Sequence, residues 1–295
     1  MARVSTAGRR LQRSGTPPAS EVRRRRHRLT SRPFILLLGA LYFGMPMLAA
    51  FLFTVLVPGD GPNSGWDPSA YGRIASADGI GASLALSFGL AVAAIVIVLA
   101  LTLPAMIAVR LAAPRLRPVL EVLCTLPLVV PPITFVAGIK RTLTWQEPLS
   151  ATPLYSTFNV VQQPSFPLVL VIAYVVLALP FVYRALDAGL RTIDVRTLVE
   201  AARNLGASWP QVVIGVLMPN LRSALAGACF LTLALVLGEY TVAALLNYQT
   251  YPVWIVWNAG VDPQLSVAVS LFSLALTWAL LLALSTAGAR RKESK

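Results

Sequence analysis

Six long apolar stretches dominate this sequence and restrict the folds open to it. They cover residues of about 34–57, 83–109, 118–139, 166–186, 221–246 and 264–287. A helix needs about 20 apolar residues to cross the hydrocarbon core of a bilayer, and backbone in lipid must form its hydrogen bonds within the segment. The sequence therefore predicts an all-α, polytopic membrane protein with six transmembrane helices, in a domain over residues 34–289.

The composition of the chain and its scarcity of histidine and lysine exclude several classes of enzyme. Hydrophobic residues make up 56% of the chain and charged residues 13%, against roughly 45–50% and 25% in soluble domains. The one histidine, His27, lies outside the apolar stretches, which leaves none there for Ser-His-Asp hydrolysis or for a His-ligated haem or zinc site. The lysines, Lys140, Lys292 and Lys295, never follow a glycine, so the sequence has no phosphate-binding P-loop. We expect no catalytic residue, no metal site and no cofactor bound by this chain.

The basic residues predict the orientation of the helices. The formal net charge is +13, yet of the 25 Lys and Arg residues only Arg73, Lys140 and Arg141 fall on one side of the predicted bilayer. Because cytoplasmic loops carry the excess of Lys and Arg, the other side is predicted to be cytoplasmic, with both termini. Residues 1–33 are predicted to form a basic, disordered tail and residues 290–295 a second basic tail. The charge is thus an orientation signal, and no nucleic-acid partner is expected.

The longest predicted cytoplasmic loop, about residues 190–220, has the pattern of an amphipathic helix. Residues 194–206 read DVRTLVEAARNLG, with one apolar face made of Val195, Leu198, Val199, Ala202 and Leu205. Asp194 is placed to cap the N-terminus of this helix, and Gly206 to end it in a left-handed conformation. Glu200 and Arg203 are three residues apart, so we expect them to pair on the outer face.

A second short helix is predicted directly after Gly206. Ser208 to Gln211 has the form of a capping box, with a proline in the first turn, and the helix is expected to end at Met218 and Pro219. The loop is therefore predicted as a helix, a glycine elbow and a second helix. On periodicity alone, the alternative of an amphipathic helix resting on lipid headgroups is favoured.

The complete loop resembles the signature of the permease subunits of bacterial ATP-binding-cassette importers. That signature is Glu-Ala-Ala, three residues, Gly, nine residues, then Ile-x-Leu-Pro. In this sequence its positions hold Glu200, Ala201, Ala202, Gly206 and Pro219, with Val216 and Met218 in place of Ile and Leu. The resemblance extends over roughly residues 80–287 and excludes the N-terminal arginine tail.

The resemblance implies a function and a set of partners. In this family the loop forms a coupling helix that docks into a groove of a cytoplasmic ATPase, which would give that role to Glu200, Ala201, Ala202, Arg203, Gly206 and Pro219. It also implies a second permease subunit, identical or paralogous, an external solute-binding protein and a location in the bacterial inner membrane. ATP would be hydrolysed by the partner subunits.

The sequence leaves the solute pathway open between two interpretations. Glu239 lies in the outer half of the fifth predicted span and is followed by Tyr240. An ionisable residue at this depth indicates a functional site, but its carboxylate can also be satisfied by neighbouring groups. Residues 127–132 carry three prolines in the third predicted span, which predicts either a hinge for alternating access or a kink.

The branch that the sequence resembles most serves spermidine and putrescine, ferric iron, thiamine, sulfate and phosphonates. Glu239 and the net acidic outer loops favour a polyamine among these. Two rivals from other classes are a secondary transporter, which is expected to show an internal inverted repeat, and a membrane-anchored scaffold, which would not need the spacing from Glu200 to Gly206.

Two ion pairs are also predicted from helical spacing. Arg117 precedes Glu121 by one turn, and Asp187 precedes Arg191 by one turn. Because residues four apart are neighbours on a helix, we expect both pairs to be structural.

Overall fold

The structure of this protein is a computed structural model that describes the backbone of residues 19–57 and 65–293 and the side chains of residues 36–57 and 65–278. Within these ranges the chain is mostly helical, which confirms the all-α class. The only strands in the described chain are β1 (Leu56–Val57) and β2 (Gly65–Trp66), which pair antiparallel. The chain divides into two compact units, Met1–Asp67 and Pro68–Lys295.

The first unit contains one long helix, α1 (Ala19–Val55). Its segment Leu36–Val55 has a mean hydropathy of 2.0, and its large apolar side chains are exposed. Such a helix belongs in lipid. Because α1 begins at Ala19, it includes part of the segment predicted as a disordered tail; residues 1–18 lie outside the described residues.

The second unit consists of further helices joined by short turns. In chain order the helices are α2 (Ser69–Arg73), α3 (Ile80–Ala112), α4 (Arg117–Thr125), α5 (Pro132–Leu143), α6 (Leu154–Val161), α7 (Leu168–Leu190), α8 (Val195–Asn204), α9 (Trp209–Gln211), α10 (Met218–Asn220), α11 (Arg222–Gly238), α12 (Thr241–Leu245), α13 (Tyr251–Asn258) and α14 (Pro263–Glu293). Turns of 3₁₀ helix occupy Ile74–Ser76, Pro114–Leu116, Leu126–Leu128 and Thr144–Gln146, and a π-helix spans Val212–Leu217.

Helices α3, α7 and α11 pack against one another and form the main core. Leu90 of α3, Tyr174 and Leu186 of α7 and Ala228 of α11 are fully buried there. Over half of the most apolar part of α7 is buried within the protein, 56%, against 28% for α3. The central helix is therefore α7, and it leads directly into the loop that carries the Glu-Ala-Ala motif.

Among the described residues, three helices are long and apolar enough to cross a membrane, namely Leu36–Val55 of α1, Ile80–Ala112 and Leu168–Leu190. Two bent helix pairs raise this number to five if each pair counts as one span. The predicted sixth span falls within α14, whose apolar part is described as far as Trp278. The predicted C-terminal tail begins within α14, and its side chains lie outside the described residues.

The third predicted span, 118–139, is not one straight helix. The segments Pro114–Leu128 and Pro132–Gln146 meet at 96°. Pro131 is extended between them, with φ −59° and ψ 139°. Because proline has no backbone N–H and disfavours helix in the residue before it, the pair Pro131-Pro132 ends one helix and starts the next. The proline segment thus produces a corner, which is a larger break than a kink.

The fifth predicted span, 221–246, is also shorter than expected. Helix α11 ends at Gly238, and Glu239 is extended with φ −81° and ψ 115°. The chain resumes as α12 and then α13, which packs with α14. At its other end α11 meets the segment Trp209–Asn220 at 84°.

Candidate functional site

The loop that carries the Glu-Ala-Ala motif folds as a helix with both predicted caps. The Asp194 carboxylate accepts hydrogen bonds from the Thr197 backbone N at 3.2 Å and from the Thr197 hydroxyl at 2.8 Å. These bonds hold the pKa of the Asp194 carboxyl below its ordinary value. At the other end Gly206 has φ 84°, a left-handed conformation that glycine adopts without steric cost. Helix α8 is therefore fixed at both ends by local chemistry.

The apolar face of α8 is one turn shorter than predicted. Val195, Val199 and Ala202 are buried and join the main core, but Leu205 is 89% exposed. Leu205 has φ −82° and ψ 5°, so the chain already leaves the helix there before the turn at Gly206. The prediction that Leu205 belongs to the buried face is therefore wrong.

The predicted pair between Glu200 and Arg203 is also wrong. Glu200 accepts a hydrogen bond from the Nε of Arg196, one turn earlier, at 2.9 Å. Arg203 instead donates to the Ala207 carbonyl at 2.9 Å and lies over the Trp209 ring at 5.6 Å from its centre. Arg203 thus joins the two sides of the elbow.

The second half of the loop begins with the predicted capping residues. The Gln211 side-chain oxygen accepts hydrogen bonds from the Ser208 backbone N at 2.7 Å and from the Ser208 hydroxyl at 2.9 Å. The chain then passes through the π-helix and α10, in which Pro219 is exposed.

The outside of this loop forms one surface, which we call the elbow surface. Its exposed residues are Glu200, Ala201, Arg203, Leu205, Gly206, Trp209, Ile214 and Pro219, whereas Ala202 of the same motif is buried. Three of these are large apolar side chains, and they are more than half exposed. A surface of this kind is typical of a site where another molecule binds.

Asp187, in the last turn of α7, lies at the centre of three arginines. Its carboxylate accepts hydrogen bonds from Arg110 at 2.6 Å, Arg117 at 3.1 Å and Arg191 at 2.8 Å. The Asp187 side chain is only 10% exposed. The arginines belong to α3, to the start of α4 and to the residue that follows α7. We call these four residues the Asp187 cluster.

Arg110 also holds the end of α7 through the backbone. Its guanidinium donates to the Leu190 carbonyl at 2.8 Å and to the Asp187 carbonyl at 3.3 Å. The last carbonyls of a helix have no partner within the helix and carry partial negative charge, so a guanidinium placed there stabilises the helix end.

One of the two predicted ion pairs is present and the other is not. Asp187 and Arg191 pair as expected. Arg117 pairs with Asp187 instead of with Glu121. The sequence also gave no signal that Arg110, 77 positions before Asp187, would reach the same carboxylate.

The two predicted solute-pathway residues lie at the break after α11. The carboxylate of Glu239 accepts hydrogen bonds from the backbone N of Val242 at 2.8 Å and of Ala243 at 3.3 Å, so it caps α12. The buried Tyr174 hydroxyl of α7 is near enough to this carboxylate to interact with it electrostatically. The side chain of Tyr240 is 42% exposed.

A cavity of about 570 Å³ lies beside Tyr240, between α12 and α13. Its lining includes the aromatic side chains of Tyr240, Tyr248 and Trp257 and the amide side chains of Asn247 and Gln249. The Tyr248 hydroxyl donates to the Gln162 carbonyl at 3.1 Å, which fixes that ring. The cavity therefore combines aromatic faces with polar groups, and sequence reasoning had identified only Tyr240 among them.

Apolar helices of spanning length indicate an integral membrane protein. The family model for the inner membrane component of binding-protein-dependent transport systems matches residues 115–291, which is more than half of the chain. The chain belongs to that family, and it is therefore a permease component of ATP-binding-cassette importers. The search of curated proteins gave no match.

Proposed function

We propose that this chain forms half of the solute pathway of an ATP-driven importer and that its α8 loop couples the pathway to a separate cytoplasmic ATPase. A second permease, identical or paralogous, forms the other half, and an external binding protein delivers the solute. In this proposal both termini lie in the cytoplasm of a bacterial cell with this chain in its inner membrane, and the partner subunits hydrolyse ATP.

The elbow surface is the observation that carries this proposal. Its Leu205 side chain is 89% exposed, although the opposite face of α8 is buried in the core. Leu205 and Trp209 are exposed before and after Gly206 in the chain, and Glu200 and Arg203 are exposed charged residues of the same loop. An apolar centre with a charged rim is the usual anatomy of a protein–protein interface. Ala201 and the exposed Gly206 permit close backbone approach by the partner.

Replacing an exposed apolar residue of the elbow tests the docking directly. Leu205→Glu places a charge at the centre of the proposed interface without disturbing a buried contact. We expect less of the ATP-binding-cassette ATPase to co-purify with the permease. Val261→Glu is the matched control, because Val261 is 79% exposed and lies far along the chain, before α14. Equal recovery of the ATPase with both variants would contradict the assignment of the elbow surface.

The same preparation separates this function from that of a secondary transporter. In proteoliposomes that contain the full complex, we expect uptake to require internal ATP and to stop with a non-hydrolysable analogue. Uptake that an ion gradient drives without ATP would instead support the secondary transporter.

For the solute we propose a polyamine such as spermidine or putrescine. The cavity beside Tyr240 supports this, since three aromatic side chains line it and the acidic Glu239 directly precedes the lining residue Tyr240 in the chain. Ammonium groups bind the faces of aromatic rings and are attracted by carboxylates. Tyr240 is the contact residue in this proposal, whereas Glu239 acts through its charge while it caps α12.

Stimulation of ATP hydrolysis by candidate solutes identifies the cargo. We expect spermidine, added with the purified binding protein, to raise the ATPase rate of the reconstituted complex. Ferric iron, thiamine, sulfate and a phosphonate are tested in parallel. Stimulation by one of these and not by spermidine would overturn the polyamine proposal and leave the importer function intact.

A further inference from the structure

We propose that Asp187 is a positioning residue that makes the coupling loop, α3 and α4 move as one body when the ATPase acts. This inference rests on the proposed docking of the α8 loop. It concerns residues outside the Glu-Ala-Ala motif, at the junction between the motif and the membrane helices.

The Asp187 cluster lies where α7 ends and the coupling loop begins. Helix α7 ends at Leu190, and residues 191–193 are all that separate it from the Asp194 cap of α8. Arg110 reaches this junction from α3 and donates hydrogen bonds to the Asp187 carboxylate at 2.6 Å and to the Leu190 carbonyl at 2.8 Å. Any rotation of α8 relative to α7 therefore acts on a segment that α3 already holds.

The Asp187 carboxylate accepts hydrogen bonds from two helices besides its own, α3 and α4. Arg117, at the start of α4, bonds both Asp187 oxygens, at 3.1 and 3.3 Å. Helix α4 is the first half of the span that turns by 96° at the prolines. The carboxylate thus connects the coupling loop to the broken span as well as to α3.

Charge and burial explain why a carboxylate is needed at this position. Asp187 is 10% exposed and faces three guanidinium groups, of which Arg110 is 19% exposed. Without the negative charge, the three neighbouring cations would repel one another, and the largely buried Arg110 would lose its charged partner, which is unfavourable. An amide at position 187 keeps the shape but removes the attraction that holds α3 and α4 to the junction.

The packing of α8 completes the connection. Val195 and Val199 are buried in the main core, and α8 contacts α3 and the π-helix directly. Force applied at the elbow surface therefore reaches α3 through apolar contact and reaches the ends of α3 and α4 through the Asp187 cluster. Apolar surfaces can slide past one another, whereas charge-assisted hydrogen bonds are directional. The Asp187 cluster therefore fixes the position of the coupling loop relative to α3 and α4.

Spin labels on two helices test the proposal without knowledge of the solute. The complex of permease and co-purified ATPase is prepared with Cys124 and Cys229 replaced by alanine and with one label, either at Asn204 of α8 or at the exposed Val96 of α3. The response of each label to ATP is measured by electron paramagnetic resonance. In the otherwise unchanged protein we expect both labels to respond.

In Asp187→Asn we expect the α8 label to respond as before and the α3 response to be lost, because the contacts that couple the two sites are removed. Asp262→Asn is the control, because Asp262 pairs with Arg73 between α2 and the start of α14, outside the junction. A merely structural role of Asp187 would lower both responses together, along with recovery of the complex, and that result overturns the proposal. Unchanged responses at both positions overturn it equally.

If the complex with Asp187→Asn does not assemble, Arg110→Lys tests the coupling between α8 and α3 instead. Lysine keeps the charge but cannot bond the Asp187 carboxylate and the Leu190 carbonyl with one planar group. We expect a partial loss of the α3 response with assembly intact, and a full α3 response would refute the proposal. If the unchanged protein shows no response at Asn204, the docking of the loop fails instead, so the two failures are distinct.

Discussion

The guanidinium of Arg203 lies 5.6 Å from the centre of the Trp209 ring and donates to the Ala207 carbonyl, so it bridges the left-handed turn at Gly206. The elbow is therefore a defined structure with contacts across it. The shape of the elbow depends on the left-handed backbone conformation of Gly206, which residues other than glycine adopt with difficulty.

The first prediction concerns Gly206→Val. At φ 84° a β-branched residue costs about 1–2 kcal/mol or more and displaces the turn. We expect membrane insertion to persist but ATP-driven uptake and co-purification of the ATPase to fall. Gly215→Val is the matched control, since Gly215 is in the same loop, lies in the π-helix and has open space around a Cβ. Normal uptake by Gly206→Val would show that the elbow is not the docking element.

The second prediction is a pH dependence of the start of α8. Hydrogen bonds from Thr197 lower the pKa of Asp194, so the folded pKa lies below the ordinary value of about 3.9. The cap therefore stabilises α8 above that value and is lost as the pH falls through the folded pKa. Hydrogen-exchange protection of the Thr197 amide, measured as a function of pH, is expected to decrease in this range. Asp194→Ala should remove this pH-dependent component, and an identical profile in both proteins contradicts the assignment.

Local chemistry explains which parts of the site were predictable. Asp194, Gly206 and Ser208 act within a few residues of their partners, so cap and turn preferences were sufficient to place them. Glu200 had two possible partners at helical spacing, and the structure selects Arg196 over Arg203. Sequence spacing alone does not rank such alternatives.

Long-range geometry explains what the sequence did not predict. The contact between Arg110 and Asp187 depends on how α3 packs against α7, which no local pattern contains. Apolar length predicted six spans, of which the described residues show three to five, and it counts residues and not direction. It therefore gave neither the 96° size of the turn at the predicted proline break nor the early end of α11 at Gly238. The other aromatic residues that line the cavity likewise follow the predicted span, since Tyr248 lies between α12 and α13 and Trp257 lies in α13.

The third prediction concerns the contact between α7 and α11. A Cβ added at Gly189 would lie 2.3 Å from the Ala224 Cβ, so Gly189→Ala forces the two core helices apart. Overpacking of this kind costs about 1–3 kcal/mol, and we expect a lower thermal midpoint in detergent. Gly227→Ala in α11 is the control, because a Cβ there meets nothing within 4 Å and alanine is the better helix former. A midpoint for Gly189→Ala at or above that of Gly227→Ala would contradict the close approach.

The fourth prediction separates the two roles of Glu239. Glu239→Gln keeps an oxygen that accepts from the Val242 backbone N, whereas Glu239→Ala removes the cap of α12. We therefore expect near-normal thermal stability for the glutamine variant and a loss for the alanine variant. If the solute is a polyamine, removal of the negative charge weakens its passage even when the cap remains. The spermidine concentration for half-maximal uptake is then expected to rise by about 5- to 30-fold in Glu239→Gln, the effect of about 1–2 kcal/mol. Unchanged uptake in Glu239→Gln, with reduced stability only in Glu239→Ala, would assign Glu239 to helix capping alone.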